Sequence, residues 1–140
     1  MIIVPDSDVR ACRLADMHYS RKTPGSNRMA GPGEHLVLVD EGGLFVLGFR
    51  KTLFRKDGQK GIECFIFRNT GEALSSQILT RAEPFILVKW GRCRLFTYIA
   101  PRKIRSVNPG CCFKKAGWVS AGRNKPRRPS EYKIILEKFL

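Results

Sequence analysis

The spacing of apolar and polar positions changes period several times along the chain, and the changes outline the elements. After a short N-terminal strand, Asp6 through Tyr19 reads as helical, with Val9, Cys12 and Ala15 or Asp16 at helical spacing. Asp6 or Ser7 is the expected N-cap, because either side chain accepts from free first-turn amides. A polar loop bearing glycine and proline runs from Ser20 to Glu34, long enough to suggest function over mere connection. Strands follow at 35–39 and 44–49, joined by the hairpin turn Asp40-Glu41-Gly42-Gly43. A second turn, Arg55 to Gly61, leads to a strand over 62–67, so three antiparallel strands run in succession.

Beyond Ala73 the period turns helical. Leu74, Ile78, Leu79, Ala82 and Phe85 fit a helix that starts near Ser75 and bends or ends at Pro84. Arg94 to Ala100 is strand-like. Pro109 to Ala116 is a short helix, with Asn108 as N-cap, Pro109 in the first turn and Gly117 closing it. Trp118 to Gly122 and Tyr132 to Glu137 make the last two strands. The order β-α-β-β-β-α-β-α-β-β, with no repeat and no linker, predicts one α/β (α+β) domain over 1–140: a mixed, mostly antiparallel sheet with helices packed on its faces.

Composition narrows the function classes. The chain has 140 residues with 26 Lys+Arg against 12 Asp+Glu, a net charge of +14. That field implies a polyanionic partner, most commonly nucleic acid. No helix pattern is basic on one face and apolar on the other, which argues against a membrane surface. No apolar run approaches the roughly 18–20 residues of a membrane span, and the N-terminus lacks a signal-peptide pattern, so a cytoplasmic protein is expected. The five cysteines, Cys12, Cys64, Cys93, Cys111 and Cys112, form no C-x-x-C pair and read as reduced, partly buried thiols. A zinc site with His18 or His35 has little support in that spacing, and a metal, though possible, is not indicated by the sequence.

Two local patterns carry candidate chemistry. Arg68-x-x-Gly71-x-Ala73 lies between a strand and a helix, where small residues, free amides and the helix dipole suit an anion. An ordinary turn is its competing explanation. Asn108-Pro109-Gly110-Cys111-Cys112-Phe113 through Gly117-Trp118 places an Asn at a helix start and a Gly-aromatic pair at the next strand. With the element order, these patterns resemble the GNAT acyltransferase superfamily. That resemblance implies acetyl-coenzyme A or a related acyl-CoA as cofactor, its pyrophosphate on the Arg68–Ala73 loop. Phe67, Arg68, Asn69, Gly71, Ala73, Ser75, Ser76, Asn108 and Phe113 are then the cofactor-binding positions. Where GNAT proteins often carry a Tyr as acid for the leaving thiolate, this chain has Phe113, which has no proton to give.

A narrower likeness rests on His18-Tyr19-Ser20-Arg21, Gly31-Pro32-Gly33, Phe67-Arg68-Asn69, Leu74-Ser75-Ser76 and Thr97 through Trp118. These segments are similar to phage and bacterial Mom-type proteins. The resemblance implies modification of adenine in DNA at its N6 amine, to a carbamoylmethyl derivative that protects against restriction. On it, His18 is a candidate base for the exocyclic amine. Tyr19 is a candidate base-stacking or edge-bonding group, Ser76 a donor to the thioester carbonyl, and Tyr98 a ligand contact at a strand end. Each has a structural alternative: a helix-end histidine, a core aromatic, a helix cap and sheet packing. His35 reads as structural, and Asp16 either orients His18 or faces solvent.

The basic residues divide into Arg21, Lys22 and Arg28 in the long loop, Arg102, Lys103 and Arg105 after the Tyr98 strand, and Lys125, Arg127 and Arg128 near the end. Together they form a candidate phosphate-binding set. A duplex base must leave its stack to react, and the 20–34 loop is the candidate wedge or clamp. Two rival functions remain open: a GNAT enzyme acting on a small amine, protein or RNA, and a basic nucleic-acid-binding protein without catalysis. A homodimer is possible on either view.

Overall fold

The computed structural model describes every residue except 20, 22, 27, 105 and 106. Two compact units divide the chain, Met1–Ala73 and Leu74–Leu140. In the first, strands β1 (Ile2–Val4), β2 (Glu34–Val39), β3 (Phe45–Lys51) and β4 (Ile62–Asn69) pair antiparallel in chain order, with helix α1 (Val9–Asp16) beside them. Leu36 to Val39 are all buried, so β2 is covered on both faces. Ala11, Leu14 and Ala15 of α1 cluster with Val37, Val39, Val46 and Ile66, and Met29 from the long loop joins them.

The N-cap of α1 is Asp8, two residues beyond Asp6 and one beyond Ser7. Its carboxylate accepts from the amides of Arg10 and Ala11 at 3.0 and 3.1 Å. The helix is shorter than its pattern suggested and is over before His18. Asp6 is itself buried, which removes it from the capping position.

In the second unit, helix α2 (Ser75–Trp90) and the short α3 (Cys111–Lys115) accompany strands β5 (Arg94–Ile99), β6 (Val119–Arg123) and β7 (Ile134–Phe139). Strand β7 lies between β5 and β6, antiparallel to both. Helix α2 does not end at Pro84 but continues through it to Trp90. Proline costs a helix interior about 3 kcal/mol, but Ile78, Leu79 and Ile86 are each buried, at about 1.5–3 kcal/mol apiece. Burial on both sides of the proline wins. The cap of α3 also differs from expectation. Gly110, at φ 76°, takes the N-cap place, and the Asn108 side chain instead accepts from Lys114 Nζ at 2.9 Å. A Cβ at Gly110 would meet Leu136 Cδ1 at 2.7 Å, so glycine is required there twice over.

One ion cluster fixes the end of the first sheet. Buried Glu63 accepts from Arg50 Nε and Arg55 Nη1, both at 2.8 Å, and Arg55 also pairs with Asp57 at 2.7 Å. Arg50 Nη1 reaches on to the Ala30 carbonyl at 3.4 Å. Removing one partner of such a group strands the others in a poorly solvated place. Glu63→Ala is expected to lower unfolding stability by about 3 kcal/mol, read from the urea midpoint at constant slope. A loss below about 1 kcal/mol would place the cluster among ordinary surface pairs.

Candidate functional site

In the first unit the structure gathers His18, Tyr19 and Arg68. Helix α1 ends with unpaired carbonyls, as every helix does. Arg68 Nη1 donates to that of Met17 at 3.2 Å, a cation placed where the helix dipole favours it. Arg68 Nε is buried with no hydrogen-bond partner. The guanidinium expected on a cofactor phosphate therefore props the end of α1.

His18 stacks on Tyr19, ring centroids 4.5 Å apart at 28°. Burial first, and the Arg68 charge second, depress the His18 pKa from its usual 6.5 to about 4. At neutral pH the imidazole is uncharged, and it is a weak base. Tyr19 is partly exposed.

The loop after β4 is held from both sides. Asn69 Oδ1 accepts from the Gly71 amide at 3.0 Å, and its Nδ2 donates to the Ala73 carbonyl at 2.7 Å. The Thr70 amide and hydroxyl both reach the Leu44 carbonyl at 2.7 Å. Gly71 packs on Leu44, whose Cβ would stand 3.1 Å from an added Cβ, so neighbour packing already calls for a small residue.

In the second unit, α2 begins at Leu74 with no side-chain cap. Beside its first two turns, Ser76, Gln77, Thr80, Arg81 and Lys115 line an open groove of about 300 Å³. Two cations, two hydroxyls and an amide next to an uncapped helix start suit a phosphate-bearing ligand. Of these residues only Ser76 stood out in the sequence. Gln77, Thr80 and Arg81 share its face at helical spacing, a signal that could have been read, whereas Lys115 arrives with α3.

The other expected positions fall elsewhere. Phe67 is half-buried on β4, opposite Leu47. Phe113 is buried edge-on against Trp118, centroids 4.9 Å apart, and is a core residue. Tyr98 sits half-buried on β5 opposite Ile135, edge-on to Phe96. His35 is half-buried on β2 opposite Arg50. Asp16 accepts from Arg21 Nε at 3.0 Å and the Gly25 amide at 3.1 Å, contacts that hold its carboxyl below the usual range.

Arg21 is not a free surface cation. Its side chain is 5% exposed and donates to Asp16 and to the Ser26 and Arg28 carbonyls, so it clamps the long loop from within. Arg28, Lys103, Lys125 and Arg127 are exposed. Arg102 and Arg128 share Glu131 at 3.5 and 3.9 Å. Lys22 and Arg105 lie outside the described residues. Among the described residues no group of three His, Cys, Asp or Glu side chains is placed to hold a metal. No helix among them is long and apolar enough to cross a membrane.

No family model matches the chain, and no curated protein does. Among solved structures, it is similar to a Bordetella pertussis protein described as belonging to the GnaT acetyltransferase family. The TM-score is 0.58 over 97% of this chain and 93% of that one, at 16% identity. The likeness is one of fold, a mixed α/β fold of the GNAT type.

The His18 shift makes a pH prediction. Its folded pKa lies below the unfolded one, so between about 4 and 6.5 the unfolded chain binds the extra proton. Stability is therefore intact above about pH 6.5 and falls as acid is added down to about pH 4. The loss is about 2 kcal/mol after discounting for solvent screening. His18→Gln should flatten this part of the profile in urea titrations, and an unchanged slope would contradict the buried, uncharged histidine.

Proposed function

We propose that residues 1–140 form one GNAT-type acyltransferase domain that takes an acyl-CoA and acts on an amine of nucleic acid. The observation that carries the cofactor half is the groove of Ser76, Gln77, Thr80, Arg81 and Lys115 at the uncapped start of α2. Ser76, Gln77, Arg81 and Lys115 have donors that fit the phosphates of coenzyme A, with Arg81 and Lys115 forming charge-assisted bonds. The Thr80 hydroxyl already donates to the Ser76 carbonyl at 3.0 Å. Asn69 and Thr70 stiffen the loop before α2, but the Thr70 and Gly71 amides are already engaged with the Leu44 carbonyl and Asn69 Oδ1. The groove side chains and not these amides would hold the phosphates.

When bound, the acyl-CoA supplies an activated thioester carbonyl. The amine nitrogen bonds to that carbon as the carbon–sulfur bond breaks, and one proton must leave the nitrogen while one reaches the sulfur. Phe113 has no exchangeable proton and is buried, so the sulfur's proton comes from another group or from solvent. His18 is uncharged at neutral pH and suits accepting a hydrogen bond from the amine better than full deprotonation. Tyr19, partly exposed and stacked on His18, is the candidate contact for a planar base.

The net charge of +14 supports nucleic acid as the acceptor, and the Mom-type resemblance supports the N6 amine of adenine in DNA. The step above leaves an N6-acyl group on that amine, not the carbamoylmethyl group of the Mom-type proteins, in which the nitrogen is bonded to a methylene carbon. A GNAT enzyme acting on another amine shares the cofactor groove and lacks salt-dependent nucleic-acid binding.

Calorimetry with acetyl-CoA tests the groove. Arg81→Glu and Lys115→Glu alter exposed residues and should each weaken binding about tenfold or more, while wild-type affinity in both would refute it. For the acceptor, DNA from cells expressing the protein should yield a heavier adenosine by mass spectrometry, absent with the double groove variant. An unchanged digest alongside intact acetyl-CoA binding would assign the enzyme to another amine. Arg68→Ala is a poor control, since it also removes the prop from α1.

A further inference from the structure

The turn between β3 and β4 reverses the usual order of solvation. Phe54 is 91% exposed and Leu53 81%, whereas the adjoining Arg55 side chain is only 14% exposed. The cation points inward to Asp57 and Glu63, and the ring points outward. Long apolar side chains are ordinarily buried and arginine ordinarily solvated, so the pair is held against its preference by the ion cluster. The inward ion pairs of Arg55 thus leave Leu53 and Phe54 side by side in solvent, an adjacent apolar pair open to a partner.

Its surroundings say what kind of partner fits. Exposed Lys51, Lys56 and Lys60 flank the apolar pair, and residues 51–61 carry four cations against the single carboxylate of Asp57. An exposed ring among lysines matches a polyanion with stackable faces, which is a nucleic-acid strand. Among the described residues of the 20–34 loop, the large apolar side chain is Met29, and it is buried. That loop, the candidate wedge from the sequence, holds no exposed ring. Yet it meets the β3–β4 turn at one end of the sheet: Glu34 pairs with Lys51, and Gly33 lies against the Lys51 carbonyl.

We propose that the Leu53–Phe54 tip is a base-stacking contact for nucleic acid, with Phe54 against a base face and Lys51, Lys56 and Lys60 near the backbone phosphates. This rests on the nucleic-acid half of the function proposed above and adds a place and a mode to it. The tip is not part of the His18–Arg68 cluster. Strand β4 separates Glu63 from Arg68, which at about 3.3 Å per residue is roughly 17 Å. The contact therefore anchors the strand some nucleotides away from a base held at His18 and Tyr19, and it lengthens the footprint.

The test uses the full chain and a fluorescein-labelled single-stranded DNA carrying 2-aminopurine, followed by anisotropy and by 2-aminopurine emission over a salt series. Phe54→Ala should weaken binding roughly tenfold and remove the change in 2-aminopurine emission, with the salt slope unaltered. Phe54→Trp should restore both. Lys56→Ala should instead make the salt slope shallower, by somewhat under one. Wild-type binding that Phe54→Ala leaves intact would overturn the stacking contact and spare the nucleic-acid acceptor. No salt-dependent wild-type binding would overturn both. Sedimentation with phosphatidylserine vesicles is the remaining arm: if Phe54→Ala abolishes vesicle binding and leaves DNA binding unchanged, the tip belongs to lipid and the proposal fails.

Discussion

The buried carboxylate of Glu63 is the constraint on which the first unit turns. Two guanidiniums converge on it, one from β3 and one from the turn that follows. Neutralising three nearby charges in a poorly hydrated place demands good geometry, because desolvation otherwise exceeds the Coulomb gain. The good geometry is what transmits order. Arg50 carries it to the long loop through the Ala30 carbonyl, and Arg55 carries it to the turn through Asp57. An isolated surface pair would exert no such leverage.

Charge in this chain thus does two kinds of work, and only burial separates them. Arg21, Arg50, Arg55 and Arg68 are drawn inward to carboxylates or carbonyls and act as internal braces. Arg28, Lys56, Lys125 and Arg127 stay in solvent and contribute to the long-range field. A net charge counts both groups alike. The field that reaches a polyanion is that of the second group, together with whatever part of the first remains unpaired.

How much could be read in advance follows the range of the physics involved. The Asp40–Gly43 hairpin turn and the strands beside it were legible because turn chemistry and alternation are local. The unbroken course of α2 through Pro84 was not, since the deciding burial of Ile86 is tertiary. The anion-loop pattern at Arg68 was legible as a pattern. The partner of Arg68 was not, because Met17 lies 51 residues away along the chain. No spacing rule set Phe54 apart, and its exposure beside an inward-turned Arg55 is visible only in three dimensions. The groove on α2 stood halfway, with four of its positions on one helical face and Lys115 supplied by another element.

The missing cap at Leu74 has a thermodynamic meaning of its own. A helix normally closes its first turn with a serine, threonine or aspartate, worth about 1 kcal/mol. Here Leu74 makes no such bond, so on the proposed function a phosphate of the acyl-CoA would supply the first turn of α2 with the stabilisation that a side chain gives elsewhere. An anionic ligand bound there acts as the absent cap, so occupancy and local order become linked quantities. On that proposal, opening of the turn would follow the free concentration of the ligand by mass action, and the helix start would be most ordered when the acyl-CoA is plentiful.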